Sequence, residues 1–192
     1  MSLQIVQNMG NYQITDSLAT TGFPSVSTVT AKHYQFGPFC QTVLTLNNVA
    51  QTVVNGTEYQ GTKIFDFPAG RLYVLGVTAT LQQKTTSALA STLNASSTGA
   101  IGLGTATASN VSLTSTMVDL LPSTAFTSSA TINVAGTAVS AALAAGAQFD
   151  GTTTAKDVYL NTAYATTTDV DGDATQTISG TVTITWIQLG DY

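Results

Sequence analysis

The chain has 192 residues and a net charge of −5, from 5 Lys+Arg against 10 Asp+Glu, with a single His. Its hydrophobic fraction of 43% suffices for a buried core, but charged residues make up only 8%, against about 25% in an average soluble domain. So few cations exclude nucleic-acid binding by phosphate neutralisation, and the apolar content argues against a disordered chain.

Residues 1–40 read as an N-terminal arm or extended segment, and 41–192 as a single β-sandwich domain. In the arm, Phe23-Pro24 and Gly37-Pro38 punctuate the chain, the second flanked by Tyr34, Phe36 and Phe39. Thr42 to Asn47 reads as a strand, with Gln51 to Val54 pairing onto it across Asn47-Asn48. Lys63 to Phe67 alternates, placing Phe65 and Phe67 on one face and Ile64 and Asp66 on the other. After the turn Pro68-Ala69-Gly70, Arg71 to Gln82 is a long strand. Tyr73, Leu75, Val77, Ala79 and Leu81 share one of its faces; Leu72, Val74, Gly76, Thr78 and Thr80 share the other. Apolar residues on both faces of its first half imply a central position.

Ser87 to Ser97 fits no single pattern, and Gly99 to Thr107 reads as a glycine-softened strand. Thr114 to Leu121 predicts a short helix or turn stopped by Pro122. Phe126 to Val134 and Lys156 to Thr166 read as strands, while Gly136 to Ala147 has the alanine content of a helical turn or two. The clearest strand is Ile178 to Leu189, with Ile178, Val182, Ile184 and Trp186 on one face and Thr181, Thr183 and Thr185 on the other. Seven to nine short strands predict an all-β fold, an antiparallel β-sandwich of jelly-roll-like type. Thr, Ser, Asn and Gln supply the solvated face that charge supplies elsewhere.

One cysteine, Cys40, forbids an intrachain disulfide, and one histidine, His33, forbids a multi-His metal site. The first residues carry no secretory signal, and no apolar run approaches the roughly 18 residues of a membrane span. The expectation is therefore a chain made in a cytoplasm, without a membrane partner. The sequons at Asn55, Asn94 and Asn110 carry little weight in so Thr-rich a chain.

Asp169, Asp171 and Asp173 form the one acidic cluster, and alternate aspartates beside a glycine offer oxygen ligands to Ca²⁺. The EF-hand pattern is not met, so a polar inter-strand loop is the favoured reading. His33 lacks a nucleophile motif and reads as a structural histidine; Cys40 reads as a buried small hydrophobe. Glu58 is the only glutamate, and a carboxylate pair would need an Asp from a distant loop. Gly99, Gly102 and Gly104 lack the Lys-Ser/Thr of a phosphate loop, and Trp186 reads as a core anchor. No catalytic, cofactor-binding or metal residue is assigned, no cofactor is expected, and an enzyme is not expected. A carbohydrate-binding sandwich is the alternative from another class, with the Asp169–Asp173 loop, Tyr159 and Tyr164 as its candidate site.

Three stretches carry a resemblance: PAGRLYVLGVTATLQ (68–82), IGLGTATASN with LTSTMVDLLPST (101–124), and ISGTVTITWIQLGDY (178–192). They resemble small virion structural proteins of tailed bacteriophages, more narrowly the β-sandwich decoration, or cement, proteins of the capsid exterior. The resemblance implies a jelly-roll-like sandwich that binds the major capsid protein and stabilises the shell as a homotrimer or homodimer. It implies a location on the virion capsid surface after assembly in the host cytoplasm. A head-fibre base or tail protein is the related alternative. Tyr12, Phe23 and Phe36 of the arm are expected to contribute subunit or capsid contacts.

Overall fold

The computed structural model describes residues 4–6, 13–15, 23–24, 26–85, 98–127, 139–142, 147–164 and 172–190. Among these are thirteen strands: β1 Gln4–Val6, β2 Gln13–Thr15, β3 Phe23–Pro24, β4 Val29–Phe36, β5 Phe39–Val53, β6 Tyr59–Asp66, β7 Gly70–Thr85, β8 Thr98–Gly104, β9 Leu121–Thr127, β10 Val139–Ala142, β11 Ala147–Gly151, β12 Asp157–Tyr164 and β13 Ala174–Gly190. A 3-10 turn, Ser115–Met117, is the one helical piece among the described residues.

The strands form two sheets, and every pairing is antiparallel. The large sheet runs β1-β2-β4-β5-β13-β7-β10, with β11 also on β7; the small sheet runs β3-β6-β12-β8-β9. This is the antiparallel all-β sandwich that the alternation predicts. β10 and β11 occupy successive stretches of one β7 edge, with Ala142 opposite Thr78 and Ala147 opposite Val74. β4 pairs with β5 along its full length, from Val29 opposite Leu46 to Phe36 opposite Phe39 across the Gly37-Pro38 turn.

β13 lies between β5 and β7, and its inward residues Ile178, Val182, Ile184 and Trp186 are fully buried, as their spacing predicts. Facing them from the small sheet are Ile64, Phe65, Ile101, Leu103, Val158 and Leu160, in one core cluster. Each such side chain removed from water contributes about 1.5–3 kcal/mol. An aromatic run crosses this core: Trp186 meets Phe67 edge-on at 5.5 Å, and Phe67 meets Phe65 at 5.3 Å.

Where the structure departs from the sequence reading, a β-bulge is usually the cause. Asn47-Asn48 is not a hairpin turn; β5 continues through it. Asn48 takes φ 55°, and Ser179 both receives its N–H and donates to its Oδ1, each at 3.0 Å. In β6, pairing skips Ile64, so Ile64 and Phe65 both reach the core in place of strict alternation. In β7, pairing skips Leu75: Leu72, Val74, Val77, Ala79 and Leu81 face inward while Tyr73 and Leu75 face out.

Within 136–147 the described residues are strand, because pairing to β7 overrides alanine's helix propensity. Pro122 does not stop a helix. It sits in edge strand β9, where pairing jumps from Leu121 to Thr124 and a missing N–H breaks no ladder bond. Residues 86–97 and 128–138, which contain Ser87–Ser97 and most of Phe126–Val134, lie outside the described residues.

Candidate interaction surface

The interior holds a polar layer that the sequence did not announce. Gln51 of β5 donates through Nε2 to the Leu160 carbonyl at 2.9 Å and accepts from Thr162 Oγ1 at 2.8 Å. Gln176 of β13 donates to Thr162 Oγ1 at 2.9 Å and accepts from Tyr164 OH at 2.7 Å. All four side chains are buried. These bonds tie the large sheet to the small one and fix their relative register, since a buried polar group left unmatched costs about 1–3 kcal/mol. A period-2 reading finds the positions but cannot tell an inward Gln from an outward one.

The single histidine is structural in its contacts. Trp186 Nε1 donates to the buried Thr42 Oγ1 at 3.1 Å, and Thr42 Oγ1 lies 3.1 Å from His33 Nδ1. The His33 ring packs on Phe65 at 5.9 Å. Cys40 is buried, and desolvation pushes its thiol up to about 11, which leaves it protonated and inert. Trp186 is a core anchor. The Gly104 backbone packs against Met117 and the Phe126 ring covers Gly99, so these glycines serve close packing.

Of the acidic cluster, Asp173 accepts the Asn55 N–H at 2.9 Å, and Asp169 and Asp171 lie outside the described residues. Glu58 closes the β5–β6 turn at φ 60° and is buried. Tyr159 and Tyr164 are not brought together. They lie on opposite faces of β12, Tyr164 buried in the core and Tyr159 bonded to Asp157 at 3.2 Å.

The outer face of the small sheet is covered by the chain itself. Residues 105–120 fold back over it, fastened by the buried Asn161, whose Oδ1 accepts Ala108 N–H at 2.8 Å. Its Nδ2 donates to the Ala106 and Met117 carbonyls at 2.9 and 2.8 Å. Ala108, Leu113, Met117 and Ala163 make a second small core beneath this cover. Asp119 anchors the same segment by accepting Thr105 N–H and Oγ1 at 2.8 and 2.7 Å. Burial nevertheless holds its carboxyl above the usual range. On that sheet, Lys63 lies 2.6 Å from Asp66 and 3.4 Å from Asp157. Desolvation, then the hydrogen bond with Asp66, raises the Asp157 carboxyl.

The outer face of the large sheet has no such cover from the described residues. Its outward residues form rows in register across four strands. The row Thr30, Thr45, Thr181, Thr80 is all hydroxyl, and the row Phe36, Phe39, Ile187, Tyr73 is all apolar or aromatic.

No protein-family model matches this chain, and no curated protein matches it. A solved structure does. The chain is similar to one in the structure of infectious bursal disease virus Gt strain, at TM-score 0.40 and 10% identity, over 99% of this chain and 41% of that one. This chain therefore spans less than half the length of that neighbour, and a TM-score of this size does not establish a common fold.

Proposed function

We propose that the chain is a structural component of a virion. More narrowly, it is a decoration or cement protein that binds the major capsid protein on the outside of a phage capsid and stabilises the shell. Strand order supports this reading. Counting β10 and β11 as one broken strand, the eight strands from β5 onward stack as 1-8-3-6 in the large sheet and 2-7-4-5 in the small one. We read that order as two nested Greek keys, the jelly-roll arrangement used by viral capsid domains, lectins and cupins. Two side-chain features favour the first of those uses. The space between the sheets is filled by Trp186, Tyr164, Phe65 and their neighbours, where a cupin would hold a ligand. The two tyrosines of the glycan candidate are divided between core and surface.

A packed two-sheet slab with a neutral hydroxyl surface suits attachment in many copies. Weak single contacts add into avidity, and Thr side chains lose little rotamer entropy on burial. The N-terminal arm is assigned to subunit or shell contacts, with Phe36 exposed at the β4–β5 turn as its described apolar end. Deleting about the first 20 residues, in keeping with the tolerance of termini, abolishes sedimentation with shells and leaves the melting transition intact. Full shell binding by the truncated chain refutes the arm's role; failure of the full chain to sediment with shells refutes the cement reading.

A further inference from the structure

The Phe36–Phe39–Ile187–Tyr73 row lies where a soluble protein ordinarily places charge. Phe36 is 51% exposed, Phe39 47%, Tyr73 36%, and the adjoining Leu189 and Leu75 are 45% and 40% exposed. At 150–250 Å² for a whole aromatic side chain, these five leave roughly 400 Å² of apolar surface in one patch, the size at which a patch on a monomer is often functional. Among the described outward residues from this row to the Thr30–Thr45–Thr181–Thr80 row, the one charge is Lys32; the Arg71–Asp150 pair, at 4.0 Å, lies just beyond the aromatic row. The chain has ten carboxylates. Among the described residues, Asp150 is the carboxylate at this surface, so the described parts of two copies meet here without opposing clustered acidic groups.

The patch is also complementary to itself. Beside the turn lies a cleft of about 140 Å³, lined by Tyr34, Phe36, Phe39, Cys40 and Thr185 among others. A cavity of about 150 Å³ takes a benzene ring. Ile187 pairs with Phe39 on one side and Tyr73 on the other, so the cleft and an exposed aromatic ring stand one strand either side of it. A two-fold axis over Ile187 exchanges the two positions. Five strands at about 4.8 Å and eight residues at about 3.3 Å give a face of roughly 24 by 26 Å. Pairing two such faces buries about 1,200 Å², the lower bound of specific interfaces.

We propose that this face pairs with the same face of a second copy about that axis, each Tyr73 entering the cleft beside Phe39 of the other chain. The inference stands apart from the virion reading, because pairing in free solution needs no particle.

Light scattering on the full chain at about 100 μM, a concentration that populates even micromolar pairs, tests it. The native chain is expected at twice 19.8 kDa. Phe39→Lys and Tyr73→Lys, both at exposed positions, each weaken pairing about 30-fold or more, as loss of a central aromatic anchor does. Both keep the cooperative melt of a folded chain. Val111→Lys, on the small-sheet cover, leaves the pair intact. A native mass of 19.8 kDa, a trimer, or a pair that both lysine variants leave unchanged overturns the proposal.

Discussion

Gly180 is the residue on which the three central strands are aligned, and replacing it with alanine should be among the most damaging single-methyl changes in the chain. It sits in β13 at φ 144°, opposite Leu46 of β5 and Leu81 of β7, where the β5 bulge resets the register. A Cβ there would stand 2.1 Å from the Thr80 carbonyl oxygen and 3.0 Å from Leu81 Cα, both backbone atoms of a paired strand. The backbone conformation costs a non-glycine residue about 1–3 kcal/mol. Forcing the strands apart adds about 1–3 kcal/mol. A loss of about 4 kcal/mol lowers the melting temperature of a domain this size by roughly 8–16 °C. Gly76 is the control, since a Cβ there meets nothing within 4 Å. Gly76→Ala should be neutral or gain about 0.4–1 kcal/mol. Calorimetry on both variants decides the matter. A Gly180→Ala melt matching that of Gly76→Ala would refute the argument that this close approach sets the register.

Thr42→Val removes the shared partner of Trp186 Nε1 and His33 at constant shape, and should cost about 1–3 kcal/mol in a denaturant melt; an unchanged midpoint contradicts the role given to that hydroxyl. Asn161→Asp keeps the bond from Ala108 N–H but cannot donate to the Ala106 and Met117 carbonyls. Amide exchange across 105–117 should accelerate before that of the core strands, and uniform exchange would count against the fastening. Asp119 and Asp157 have folded pKa values raised above their unfolded ones. Between the two values the native state holds more protons than the unfolded state, so stability falls as pH rises from about 4 through the raised folded values. The double variant Asp119→Asn, Asp157→Asn should flatten that fall, and a slope identical to the native chain's would show that other groups produce it.

Period-2 patterning was legible wherever a strand keeps strict alternation, as in β13, where Val182, Ile184 and Trp186 point inward between outward threonines. It misled where one extra residue reverses the faces. Leu75 shares a face with Val77 only if no bulge intervenes, and Asn47-Asn48 reads as a turn because asparagine favours both turns and left-handed bulge positions. Bulges depend on the partner strand, which a single sequence does not display. The alanines near 139–142 are strand because an unpaired β7 edge lay beside them, a tertiary fact. The polar layer of Gln51, Thr162 and Gln176 was hidden for a related reason: an inward glutamine is recognisable only when its partners on the opposite sheet are known. The exposed row of Phe36, Phe39, Ile187 and Tyr73 draws on three widely separated segments, and only the sheet register assembles it.

Electron cryomicroscopy of purified particles carrying this chain tests the account most directly. The account predicts a two-sheet slab repeated over the shell exterior, in contact with the major capsid protein. Particles whose shells lack that density, or hold the chain only inside the shell, would contradict it.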